Sequence, residues 1–244
     1  MKRTCADLHL RANGRDMAQN VRLTQKAADL GYKLIATQLA PETKPDEVQR
    51  LKAACADMGL DFVSRVDLRP RNQNELLSLL RKLRRRFEVV CIMCESKEVA
   101  RQAAKDHRVD LLNFPLLDYR RRFFDHAEAE LASCGSAGYE VDVKPLLVLE
   151  GPSRVRLLSS LRREVALAQE FHLPIVISSG VSDELLLRKP REMAMIASLF
   201  GLDGNEALNS VSAAPATLVE RNRQKLSSEF IAPGIRVTKQ GEDC

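Results

Sequence analysis

The chain has 244 residues, 45% of them hydrophobic and 29% charged, enough for one packed domain with a polar surface. Its formal charge of +5 falls short of a dedicated nucleic-acid module, yet cations gather in knots at Arg84-Arg85-Arg86, Arg120-Arg121-Arg122 and Arg188-Lys189-Pro190-Arg191. No apolar stretch approaches the ~18 residues of a membrane span and the start carries no signal-peptide core; with six scattered cysteines read as reduced thiols, a cytoplasmic chain with no membrane partner is expected.

Strand-like runs, each followed by a helix-like stretch, recur about every 28 residues. Residues 5–11 predict the first strand, followed by a helix over 16–30 with Met17, Val21, Ala27 or Ala28, and Leu30 on one face. Gly31 closes that helix. Residues 33–37 predict the second strand, and Pro45 opens a helix with Val48, Leu51, Cys55 and Met58 on its buried side, closed by Gly59. The third unit is a strand at 61–66 and a helix at 74–86 striped by Leu76, Leu79, Leu80 and Leu83. Strands at 88–93 and 109–113 flank a helix at 96–106.

From Phe114 the rhythm slackens into a basic loop, with a helix expected at 126–133 and a strand at 139–147. A helix at 153–172 carries Val155, Leu158, Leu161, Val165 and Ala168, and a strand at 175–179 ends on Gly180. Helices at 190–200, 204–212 and 215–226 finish the fold. These elements predict an α/β chain: a single-domain, TIM-barrel-like (β/α) barrel over 1–228 with extra C-terminal helices and a flexible polar tail over 229–244. Seven strands are clear, and Arg122-Phe123-Phe124 is the candidate for an eighth, so the barrel is expected to be irregular on that side.

Barrel strands turn alternate residues inward. Alternation in the first strand aims Asp7, His9 and Arg11 inward, and that in the strand at 139–147 aims Glu140, Asp142 and Lys144 inward; Arg65 and Asp67 are candidates to join them. A charged lining persists when its charges pair, and such an ion-pair network is the favoured reading. The alternative is a stand-alone metal-dependent phosphoesterase using Asp7, His9, Glu140 and Asp142. Asp7-Leu8-His9 resembles the His-x-His opening of the polymerase-and-histidinol-phosphatase barrels, with Asp7 replacing the first histidine.

Cys91-Ile92-Met93-Cys94 is a lone C-x-x-C without a second pair, which favours buried thiols over a metal. Gly-x-Gly-x-x-Gly, P-loop and G-x-S-x-G patterns are all absent, so no bound cofactor is expected. Ser178-Ser179-Gly180 ends a buried strand at the rim, able to hold a phosphate or to cap the next helix.

Several motifs stand in an order that adds to this reading: Asp7-Leu8-His9-Leu10-Arg11, Val109-Asp110-Leu111-Leu112-Asn113-Phe114-Pro115, Lys144-Pro145-Leu146-Leu147, Ile177-Ser178-Ser179-Gly180, Arg188-Lys189-Pro190-Arg191-Glu192 and Ser198-Leu199-Phe200-Gly201-Leu202. With them the chain resembles the archaeal ribonuclease P protein component 3 family, counterpart of the eukaryotic 30-kilodalton subunit. Gly180 stands where alanine is expected, and Lys144 where arginine is common. The resemblance implies a barrel in the ribonucleoprotein that removes the 5′ leader from precursor tRNA. Catalysis and its Mg2+ then belong to the RNA-containing holoenzyme, so no catalytic residue and no directly bound metal are expected in this chain. The partners implied are the ribonuclease P RNA, precursor tRNA in the complex, protein component 2 and the other protein subunits. Mapped onto the sequence, the residues expected to contact RNA are Arg120, Arg121, Arg122, Lys144, Arg188, Lys189 and Arg191, with Lys97 and Arg101 as second choices. Their role would be to position phosphates rather than read bases, because aromatics make up only 5% of the chain.

Overall fold

The run-and-helix spacing becomes a parallel sheet in the computed structural model, which describes residues 4–11, 16–115, 122–232 and 235–236. Its strands are β1 (Ala6–Leu10), β2 (Leu34–Gln38), β3 (Asp61–Leu68), β4 (Val89–Met93), β5 (Leu111–Asn113), β6 (Gly138–Asp142) and β7 (Ile175–Ser178). They pair in chain order, every neighbour parallel. The first four crossovers run through α1 (Met17–Asp29), α2 (Pro45–Asp57), α3 (Gln73–Leu83) and α4 (Lys97–Ala104). The next are α5 (His126–Cys134), then α6 (Lys144–Val148) with α7 (Gly151–Glu170). After β7 come α8 (Pro190–Ser198), α9 (Gly204–Ser210) and α10 (Ala213–Leu226).

The barrel is nearly closed. β1 and β7 meet across a seam with a single bridge, Leu10 to Val181. There the Gly180 N–H donates to the His9 carbonyl at 2.9 Å and the Arg11 N–H to the Val181 carbonyl at 2.8 Å. No eighth barrel strand occurs among the described residues. Arg122–Phe124 is irregular backbone instead, and the Phe124 ring packs 4.5 Å from that of Tyr139 on the outer core. Of the segment expected to be a flexible tail, β8 (Phe230–Ala232) and β9 (Ile235–Arg236) form a small antiparallel hairpin; 233–234 and 237–244 lie outside the described residues.

Local sequence accounts for the helix boundaries. The side chains of Asp16, Asn72, Ser96, Asp125 and Asp203 each accept an N–H in the first turn of the helix that follows. Each such cap contributes about 1 kcal/mol. On α3, Leu76, Leu80 and Leu83 are buried as the leucine spacing implies, each contributing roughly 1.5–3 kcal/mol relative to exposure. Two stripes differ from expectation. On α1 the buried residues are Leu23 and Ala27 while Val21 is 51% exposed, and on α7 Val155 is 66% exposed while Leu157 is buried. The strand expected over 139–147 stops at Asp142, because Pro145 has no N–H for a sheet ladder and its fixed φ suits a first helical turn. Lys144 therefore opens α6 on the rim and does not line the interior.

Inside the barrel the lower half is apolar. Ala6, Leu8, Leu34, Ala36, Val63, Val89, Cys91, Leu111 and Val176 form one cluster, which Leu218 and Val219 of α10 cover from below. Outer faces of the strands, such as Val90, Ile92, Tyr139, Val141 and Ile177, pack on the helices in the main core. Among the described residues no helix is long and apolar enough to cross a membrane.

Candidate functional site

Above the apolar floor, the inward positions of β3 and β6 carry charge. Arg65 is fully buried, and its Nη1 and Nη2 donate to the two carboxylate oxygens of Glu140 at 2.6 and 2.7 Å. Its Nε donates to Asp67 at 2.7 Å, and Nη1 also reaches the Leu8 carbonyl at 2.7 Å. Glu140 further accepts from the Ser178 hydroxyl at 2.7 Å and the Asn113 amide at 2.9 Å. The His9 ring lies between two carboxylates, Nδ1 at 2.8 Å from Asp142 and Nε2 at 3.0 Å from Asp67. Arg11 closes the set from the rim, 3.3 Å from Asp142.

Burial and the Arg65 charge both push the His9 pKa down, but the carboxylates of Asp142 and Asp67 outweigh them and raise it to about 9. Burial also opposes ionisation of Asp67 and Asp142, yet Arg65 and His9 beside Asp67, and His9 above all beside Asp142, hold both below the usual carboxylate range. Near neutral pH the interior thus sets three cations, Arg11, Arg65 and imidazolium His9, against three carboxylates, Asp67, Glu140 and Asp142. It is balanced.

His9, Glu140 and Asp142 do bring one potential ligand atom each within 4.8 Å of one another. They do not fit a metal ion. An imidazolium has no free ring lone pair, and both Glu140 oxygens already serve the Arg65 fork. Asp7, the fourth member of the alternative metal set, is elsewhere. A register shift in β1 between Asp7 and Leu10 lets Leu8 and His9 both face the interior. Asp7 goes to the seam, where it accepts from the Ser179 N–H at 3.0 Å and the His9 N–H at 3.1 Å. Burial raises its pKa, and its Oδ2 has no hydrogen-bond partner among the described residues.

The same seam consumes the groups of Ser178-Ser179-Gly180 that sequence reading offered to a phosphate. Ser178 Oγ serves Glu140, the Ser179 amide serves Asp7, and the Gly180 amide serves the His9 carbonyl. Gly180 has φ +64°, and a Cβ there would stand 2.6 Å from Asp142 Cγ. Gly180→Ala is therefore expected to cost about 2 kcal/mol from left-handed strain and overpacking, read as a lower urea midpoint. An unchanged midpoint would mean that Asp142 can withdraw without loss.

Cys91 and Cys94 are buried thiols on opposite faces of the sheet, Cys91 inside and Cys94 in the outer core, so they cannot share a metal.

The expected RNA-contacting cations fall into distinct groups. Arg122 is removed from the surface: its guanidinium pairs with Glu164 and donates to Tyr139 Oη, with only 3% of its side chain exposed. The sequence hid this because Glu164 lies on a different element. Arg101 is likewise held by Asp125 and by Glu128 at 2.9 Å. Arg188 donates to the Leu185 and Leu187 carbonyls. Lys189 and Arg191 are exposed at the start of α8, and Lys97, also exposed, is 3.8 Å from Asp125. Lys144 is half-buried, its Nζ 3.5 Å from Ser182 Oγ. Arg120 and Arg121 lie outside the described residues. Lys189 and Arg191 lie well beyond β7, next to Arg188, whose carbonyl accepts from the hydroxyl of Tyr32 just before β2. Lys97 and Lys144 come directly after β4 and β6, so the topology places these two on the carboxy-terminal rim with Arg11. Arg69, which sequence reading missed, joins them just beyond β3 and pairs with Glu95. A recess of about 280 Å³ lies between Arg11, Arg69 and Lys144.

Comparison with known proteins yields a consistent set of matches. The family model described as RNase P subunit p30 matches residues 5–227. The ribonuclease P protein component 3 of Methanosarcina barkeri is 30% identical over 220 residues, 90% of each chain. That of Methanosarcina acetivorans is 32% identical over 185 residues, 76% of each chain. A chain from a cryo-EM structure of archaeal ribonuclease P with mature tRNA has the same fold, with a TM-score of 0.82 at 20% identity, covering 98% of this chain and 100% of that one.

Proposed function

The chain belongs to the RNase P subunit p30 family, and from that premise we propose that it is a protein subunit of ribonuclease P, the tRNA-processing enzyme complex. In this reading the chain binds and supports the RNA of the complex and does none of the bond breaking. Removal of the 5′ leader from precursor tRNA, and the Mg2+ it needs, belong to the RNA-containing holoenzyme. A second protein, the component 2 of this system, shares the task of holding the RNA.

The observation that carries the reading is the occupied barrel mouth. Barrel enzymes assemble their catalytic groups at the carboxy-terminal face. Here that position holds an ion-pair network whose members satisfy one another, with no free base and no metal-ready ligand set among the described residues. The exposed Lys97 and the half-buried Lys144 stand beside it, suited to phosphates through charge and counterion release. The metal-dependent phosphoesterase alternative is not favoured, because three carboxylates are already matched by three cations.

Reconstitution tests the proposal. The purified chain alone should leave precursor tRNA intact. Added together with component 2 to the ribonuclease P RNA, it should lower the magnesium concentration needed for leader removal. An unchanged magnesium requirement, or cleavage by the isolated chain abolished in His9→Ala, would overturn it.

A further inference from the structure

The knot Arg84-Arg85-Arg86 has no part in the rim. It lies in the turn between α3 and β4, at the amino-terminal end of the barrel, and its three members have different fates. Arg84 reaches inward to Asp110 at 2.7 Å. Arg86 donates to the Thr43 carbonyl, and its guanidinium lies 5.8 Å from the centre of the Phe87 ring. Arg85 is exposed and makes no ion pair among the described residues. Beside it opens a recess of about 530 Å³, framed by Arg84, Arg85, Arg108, Lys225 and, on its apolar side, Phe230.

Among the described residues no carboxylate lines this recess. Asp106 and Asp110 stand behind it, but Asp106 is held by Arg108 at 2.6 Å, and Asp110 is shared between Arg84 and Arg221. Five cations thus converge on two carboxylates, whereas at the mouth Arg11 and Arg69 each have an acidic partner. Lys225 has no ion-pair partner among the described residues. Burial and the charges of Arg221 and Arg84 lower its pKa, outweighing the opposing pull of Asp110, as expected where cations outnumber carboxylates.

We propose that this recess is a phosphate site which takes a backbone phosphate of RNA, so that the subunit grips RNA at both ends of its barrel. The inference rests on the reading of the chain as an RNA-binding subunit and adds a second, separate contact to it. Arg84 and Arg108, held in place by their carboxylates, are preorganised walls. Arg85 and Lys225 supply the unneutralised charge, and guanidinium and ammonium groups together suit tetrahedral oxygens approached from several sides.

The test uses the full chain and fluorescently labelled ribonuclease P RNA, titrated over a range of salt concentrations. R85Q/K225Q is expected to bind about tenfold more weakly near 0.1 M salt, with a salt slope lower by roughly 2, one for each cation removed. The charge-matched control K26Q/R50Q removes two cations from α1 and α2 and should bind as the unaltered chain does. R85Q alone changes only an exposed side chain and should show about half the change in slope, which separates binding from folding. An equal loss in the control would reduce the effect to net charge and overturn the site. Binding by the wild type with full affinity and slope retained in R85Q/K225Q would overturn this site while leaving the proposed function standing. Absence of salt-dependent binding in the wild type would overturn both. Retained RNA affinity with failed holoenzyme assembly would mark the recess as a seat for an acidic protein segment, and would also overturn the phosphate assignment.

Discussion

Arg65→Met is expected to destabilise the chain by about 3–5 kcal/mol, the cost of leaving buried carboxylates without their cation. The guanidinium holds both oxygens of Glu140 and one of Asp67, and its side chain is wholly buried. Methionine fills a similar volume but leaves Glu140 with only neutral partners, Ser178, Asn113 and the Cys91 thiol. For a chain this long the loss corresponds to a fall in melting temperature of roughly 6–20 °C. Thermal unfolding of the single variants and of Arg65→Met/Glu140→Leu completes a cycle. The double variant should be more stable than the summed single effects by at least about 1–2 kcal/mol, because the second substitution removes the stranded charge. Strict additivity would show that the two side chains do not support each other.

A loss of up to about 3 kcal/mol in stability is expected as pH rises from 6.5 through about 9, from His9 alone. The sign follows from proton binding. The folded chain holds the His9 proton more tightly than the unfolded chain, so folding gains stability below the ordinary histidine value of 6.5 and loses it as pH passes the folded value of about 9. Asp67 and Asp142 act in the opposite sense at low pH: their ionised forms are favoured by folding, and that gain is lost as pH falls below the usual carboxylate range. Urea titrations at several pH values should show the alkaline decline in the wild type and its absence in His9→Asn, whose stability is lower at neutral pH. A wild-type profile flat between pH 6.5 and 9 would mean that the ring is neutral in the fold.

Much of this arrangement could be read from the order of residues, and where it could not, the causes are specific. The alternation of Tyr139, Val141 and Val143 with Glu140 and Asp142 sets the inward face of β6 correctly, because a strand without irregularity has only two faces. The same rule fails in β1. One shift of register between Asp7 and Leu10 admits Leu8 and His9 together and expels Asp7 to the seam, and nothing in five consecutive residues announces it. Lys144 misled for a different reason: Pro145 signals a helix start, but the apolar run around it reads equally well as a strand.

Charge was the least legible property. A cation's availability depends on partners far along the chain, as with Arg122 on Glu164 or Arg223 on Asp61 and Glu88. The basic recess draws on the turns before β4 and β5, the end of α10 and the segment after it, so the Arg84-Arg85-Arg86 knot alone could not disclose it.

The seam between β1 and β7 has a consequence for biogenesis. Of the barrel strands β1 is made first and docks on β7, made last, and α10, which seals the apolar floor, emerges later still. Until then the nascent sheet keeps Leu8 and Val63 open to the surroundings, a state that invites association with other chains. Completion of the cylinder is accordingly a late, long-range event, and the fold should mature in one concerted step once β7 and α10 are made rather than unit by unit.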